Sequence, residues 1–213
     1  MRPSTRREFV AGPAGRIECA VDAPAGAGQH GNGSARGLAL VAHPHPLHGG
    51  TFDNKVVQTL ARAFAERGYV AWRPNFRGAG ASEGRHDEGR GEVEDLAAVL
   101  RHAQRDFGDA PPVLAGFSFG AAMQARLAQR LRQDGRALLP MVLVGIAVNH
   151  FQVPAVPADT LLIHGERDET VPLAAVLDWA RPQDVPVLVV PGADHFFHRR
   201  LHSLRAIVQH RWG

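Results

Sequence analysis

Short unbroken apolar runs alternate with helically spaced segments along most of this chain, and that alternation leaves few architectures open. The runs stand at Leu38–Ala42, Tyr69–Trp72, Val113–Ala115, Met141–Val148, Leu161–Ile163 and Val187–Val190. Strands that are apolar on both sides need cover on both faces, which a sheet gains when helices cross over it. The segments between supply such helices. Val57, Leu60, Ala61 and Phe64 follow i, i+3, i+4, i+7, and so do Val93, Leu96, Ala97 and Leu100. Met123, Leu127 and Leu131 recur every fourth residue. The order predicts an α/β fold with a mostly parallel sheet, those stripes being the packed faces of helices.

Two stretches depart from the alternation. Ala23 to Gly37 is rich in Gly and Ala without a period, and reads as a loop after an N-terminal hairpin. It is also a segment long enough to cover a site. Between Val148 and Thr160 the chain offers only a short connection broken by Pro154 and Pro157. That is too little for a helical cap with its two loops. With 213 residues, no internal repeat and no long linker, a single domain over 1–213 is expected.

Composition narrows the function classes. Apolar residues at 45% and charged residues at 21% are ordinary for a folded soluble protein. The apolar run Leu138–Val148 is too short to span a bilayer, and nothing at the N-terminus resembles a secretory segment. A cytoplasmic protein without a membrane partner is the expectation. Cys19, the single cysteine, excludes an intrachain disulfide and a cysteine-based zinc cluster. The formal charge of +3 comes from scattered arginines, and Lys55 is the only lysine, so no nucleic-acid partner is expected. Oligomeric state is not legible in these features.

Chemistry enters at Gly116-Phe117-Ser118-Phe119-Gly120, a G-x-S-x-G pattern. It follows an apolar strand and opens directly into the helix carrying Met123, which is the context this pattern needs. A sharp strand-to-helix turn exposes the serine Oγ and sets it at the positive end of a helix. A serine hydroxyl needs a base, and the base needs an orienting acid. His195 lies just after the last strand and Asp168 just after the preceding one. Each candidate therefore sits beyond the end of a different strand, the edge where open α/β sheets place their sites.

These segments resemble the α/β-hydrolase superfamily over the chain from about Leu38 onward. Gly116–Gly120 resembles its nucleophile elbow, and His164-Gly165-Glu166-Arg167-Asp168-Glu169-Thr170-Val171-Pro172 its H-G-x-x-D-x-x-V-P acid loop. Gly192-Ala193-Asp194-His195-Phe196-Phe197 is similar to its histidine loop. Asn75 to Ser82 is similar to its D-x-R-G-x-G-x-S turn, with Asn75 where aspartate is common. More narrowly, His43-Pro44-His45-Pro46-Leu47-His48-Gly49-Gly50 resembles small, lidless, dienelactone-hydrolase-like esterases.

The resemblance implies a sheet of about eight strands with a partly antiparallel N-terminal hairpin, helices on both faces and no cap domain. It implies a triad of Ser118, Asp168 and His195. Position in the motif selects Asp168 over Glu166, Glu169 and Asp194. His198 and His202 are helix-spaced from His195 and are expected on the final helix. The oxyanion donors implied are the N–H groups of Phe119 and His45, with Leu47 second, because Pro44 and Pro46 have none. Phe117, Phe119, Phe151, Phe196 and Phe197 are candidate walls of a shallow acyl pocket.

Cleavage of small carboxylic esters, with no cofactor, is the activity these residues imply. Thioesterase, peptidase or acyltransferase chemistry uses the same triad, and a non-catalytic protein with a vestigial site is the rival from another class. Neutral imidazoles of His43, His45 and His48 could also hold a transition metal, but the stretch shows no fourth ligand, so no metal is expected.

Overall fold

A computed structural model describes residues 4–25, 35–105, 107 and 110–212. Eight strands form one sheet: β1 (Ser4–Gly12), β2 (Gly15–Ala23), β3 (Gly37–Ala42), β4 (Tyr69–Pro74), β5 (Val113–Phe117), β6 (Met141–Val144), β7 (Leu161–Gly165) and β8 (Val187–Val190). Their spatial order is β1-β2-β4-β3-β5-β6-β7-β8. β1 and β2 form an antiparallel hairpin, β2 pairs antiparallel with β4, and every pairing from β4 onward is parallel. The chain reverses its direction of travel between β3 and β5. Such a switch opens a crevice at the carboxyl ends of the two strands.

Five helices cover the sheet: α1 (Lys55–Glu66), α2 (Arg90–Gln104), α3 (Phe119–Gln133), α4 (Leu173–Ala180) and α5 (Leu201–Arg211). The helical stripes account for two separate cores. Val57, Leu60 and Phe64 of α1 join Leu204 and Val208 of α5 on one face. Leu96 and Leu100 of α2 join Met123 and Leu127 of α3 on the other. Asn54 starts α1 by accepting the N–H groups of Val56 and Val57 at 2.9 and 3.4 Å, which satisfies donors that helix geometry leaves unpaired.

Three boundaries differ from the sequence reading. β6 stops at Val144, not Val148, because Gly145 adopts a φ of 53° and turns the chain away. His198 precedes α5, so only His202 lies on the final helix. α4 went unread, since only Val176 and Ala180 are buried on its eight residues. No helix stands between β6 and β7 to form a cap. Residues 26–34, the body of the Ala23–Gly37 stretch, lie outside the described residues. Among the described residues, no helix is long and apolar enough to cross a membrane.

Candidate active site

Ser118 stands where β5 gives way to α3, with φ 56° and ψ −116°. A non-glycine residue rarely holds that backbone, and the packing around it shows what enforces it. A Cβ on Gly116 would lie 2.6 Å from Gly120 and the Ala121 nitrogen. A Cβ on Gly120 would collide with the carbonyls of Ala42 and His43. The two glycines are therefore required by close approach, the first within the turn and the second against the end of β3. That contact sets the nucleophile turn beside the loop after β3.

The sequence-selected side chains meet at this edge. His195 Nε2 lies 3.1 Å from Ser118 Oγ, and its Nδ1 lies 2.7 Å from Asp168 Oδ2. All three residues are buried, with only a small part of each open. The other Asp168 oxygen, Oδ1, accepts the N–H groups of Thr170 and Val171 at 3.0 and 2.7 Å, which fixes the carboxylate plane. His164 backs the acid, its Nε2 donating to the Val171 carbonyl at 2.9 Å. The rival carboxylates are engaged elsewhere or exposed. Glu166 accepts the Gly192 N–H at 2.7 Å, and Asp194 pairs with His198 at 2.7 Å. Glu169 faces solvent.

The loop after β3 is built around a histidine that makes no hydrogen bond to the serine among the described residues. His43 is fully buried. Its Nδ1 donates to the Pro44 carbonyl at 2.6 Å, and its Nε2 accepts the Phe76 N–H at 2.9 Å. Burial pushes its pKa down to about 4, so the ring stays neutral and tethers this loop to the turn after β4. Both nitrogens are thus committed, which removes His43 from any metal-binding set. Among the described residues, no three His, Cys, Asp or Glu side chains are placed to hold a metal ion.

The His45 carbonyl accepts from His48 and Gly50, while its own N–H has no acceptor among the described residues. The Phe119 N–H, at the first position of α3, is likewise unpaired there. Leu47 differs: its N–H donates to His45 Nδ1 at 3.3 Å, and its side chain is exposed. That bond leaves Leu47 the poorer donor.

The aromatic walls need correction. Phe117 and Phe197 are 0% exposed and belong to the core on the α1 face. Phe117 lies beneath the His195 ring at 4.8 Å between centroids and supports it from below. Phe197, at φ 54°, is turned inward by its loop. Phe119 is also buried, its ring enclosed by Phe76, His45 and Phe151 at 5.3, 4.8 and 5.1 Å. Phe151 is half-buried and Phe196 is 45% exposed. A depression of about 450 Å³ runs beside His195, lined by Arg167, Glu169, Thr170, Gly192, Asp194 and Phe196.

Two features escaped the sequence reading. Asn75 bridges the Phe52 N–H (2.8 Å) and Glu18 Oε2 (2.9 Å), and Glu18 Oε2 also accepts the Ala81 N–H at 2.8 Å. An aspartate at 75 would set two carboxylates face to face, so the amide fits where the related turn has an acid. The second is a group of imidazoles around His45. His86 packs on His45 and Phe119 at 4.7 and 5.7 Å, and His48 stacks on His45 at 4.6 Å. His86 carried no motif; only the fold brings it to the loop.

Comparisons with known proteins agree with this architecture. Residues 45–151 match the family model described as serine aminopeptidase, S33. A protein of Rickettsia prowazekii is 32% identical over 201 residues, covering 89% of this chain and 81% of its own. A lidless α/β serine hydrolase from Xanthomonas campestris has a TM-score of 0.85 at 34% identity, covering 98% of this chain and 95% of that one. An α/β serine hydrolase homologue from Coxiella burnetii has a TM-score of 0.81 at 38% identity, covering 98% and 97%. With the elbow, the sheet order and the uncapped edge in agreement, the chain belongs to the serine aminopeptidase S33 family of α/β-hydrolases.

Proposed function

We propose that this hydrolase cleaves small carboxylic esters of short acyl chain through Ser118, His195 and Asp168. The observation carrying the reading is the continuous chain Asp168–His195–Ser118, at 2.7 and 3.1 Å, beside two unpaired N–H donors. Ser118 Oγ attacks the ester carbonyl as His195 Nε2 takes its proton. Asp168 keeps the His195 proton on Nδ1 and faces the imidazolium that forms. The N–H groups of His45 and Phe119 receive the developing oxyanion, where fixed donors contribute most to rate. His195 then protonates the departing alcohol oxygen, leaving an acyl group on Ser118. Water, activated by the same imidazole, releases the acid.

A fluorophosphonate probe with intact-mass readout tests the nucleophile. One adduct per chain is expected, mapped by peptide analysis to Ser118; absence of an adduct on native protein would overturn the assignment.

Chain-length preference follows from the uncapped edge. With Phe117 and Phe197 in the core, the remaining apolar wall is Phe151, Phe196 and the rim of Phe119. A shallow wall covers few methylenes at about 0.8 kcal/mol each, so gains in kcat/KM should stop at roughly two to six acyl carbons. Kinetics on an acetate-to-palmitate series, below and above micelle formation, measures this. A steep rise on crossing into the emulsion would indicate a cover over the site and end this part of the proposal.

A further inference from the structure

The imidazoles around His45 have no part in the steps above, yet they stand against the residues whose N–H groups face the oxyanion. We propose that they receive a carboxylate on the acyl half of the substrate, making half-esters of short dicarboxylic acids the preferred class. This rests on the ester reading above and specifies its substrate.

Direction comes first. His195 must reach the leaving oxygen, so the alcohol half departs on the His195 side, toward Phe196 and the depression lined by Arg167. The acyl chain is then directed away from His195, over Phe119 and Phe151. The rings on that side are His45, stacked on His48 at 4.6 Å and packed on His86 at 4.7 Å, with Phe151 5.9 Å away.

Donor capacity comes second. His45 Nδ1 accepts the Leu47 N–H, so its proton resides on Nε2 and is free to donate. The His48 ring has no hydrogen bond among the described residues. His86 turns Nδ1 to within 2.8 Å of Glu92 Oε1, off the line of a good hydrogen bond, and leaves Nε2 uncommitted. Glu92 is fully buried, and its oxygens also accept the N–H groups of Asp87 and Gly89 at 2.9 and 2.8 Å. Its charge is therefore directed inward. Burial, then the neighbouring His86 and His48, hold His45 below the usual histidine pKa, against the nearby Glu92 carboxylate, which pulls it the other way. An anion among these rings would accept from their free N–H groups, and hydrogen bonds to a charged acceptor are the strong kind.

Monoethyl succinate and ethyl butyrate test this cleanly, because they differ only in a terminal carboxylate against a methyl group. By pH-stat titration at pH 7 and low salt, kcat/KM for the succinate ester should exceed that for butyrate by about tenfold. His86→Phe and the exposed substitution His48→Asn should each lower the ratio by about fivefold. A ratio at or below one, or a ratio insensitive to both substitutions, would overturn the inference while butyrate turnover left the ester reading standing. Loss of turnover on both esters in the unmodified protein would overturn both.

Discussion

Replacing Ser118 with alanine should lower p-nitrophenyl acetate hydrolysis by about 10⁶-fold, the scale seen when a triad serine is removed. The change deletes a single oxygen. The Ser118 N–H still donates to the Val144 carbonyl at 2.9 Å, and its own carbonyl still accepts from Ala121 and Ala122. The elbow backbone is thus held by bonds that the hydroxyl does not make. Among the described residues its one side-chain partner is His195 Nε2 at 3.1 Å. Thermal unfolding should therefore shift little while turnover disappears. Near-wild-type turnover in purified Ser118→Ala would remove this serine from the chemistry.

Asp168→Asn should cost on the order of 10⁴ in kcat, and here the geometry supplies the reason. Oδ1 faces two donors, the N–H groups of Thr170 and Val171. An asparagine would satisfy them with its carbonyl oxygen and so present its NH₂ to His195 Nδ1, 2.7 Å away in the native pair. Nδ1 must then act as acceptor, which moves the imidazole proton to Nε2. In that tautomer the ring cannot take the serine proton. Glu166→Gln and Glu169→Gln are the controls, and each should retain most of the activity. A greater loss in either than in Asp168→Asn would transfer the role of acid to that residue.

How far the sequence led depends on what each residue's position is decided by. The sheet and its helices were legible because burial repeats with a period, as in Leu60 with Phe64 or Leu96 with Leu100. That Ser118, Asp168 and His195 would meet at one edge was legible because each follows a strand end within a recognisable motif. The aromatic walls were not. Phe117 alternates on a strand and Phe197 sits in a left-handed turn, and only three-dimensional packing decides which way such side chains face. Likewise, nothing local marks His86 as a neighbour of His45, since the two are joined through the approach of separate loops. The end of β6 was missed for a comparable reason. The apolar run continues to Val148, but Gly145 turns the chain with a φ of 53°, a backbone that side chains rarely adopt.

The short passage from Gly145 to Thr160, which builds no helix over the site, also bears on the fate of an acyl-enzyme. An enzyme that delivers its acyl group to a chosen alcohol or amine must delay water while the acceptor binds. On the reading proposed above, no helix between β6 and β7 would hold water off the ester carbon on Ser118 once the first product leaves. Partitioning between acceptors would then follow concentration and reactivity together, with water present throughout at the highest concentration. If the acyl-enzyme of that proposal forms, an edge without a helical cap would favour hydrolysis over group transfer by kinetic competition.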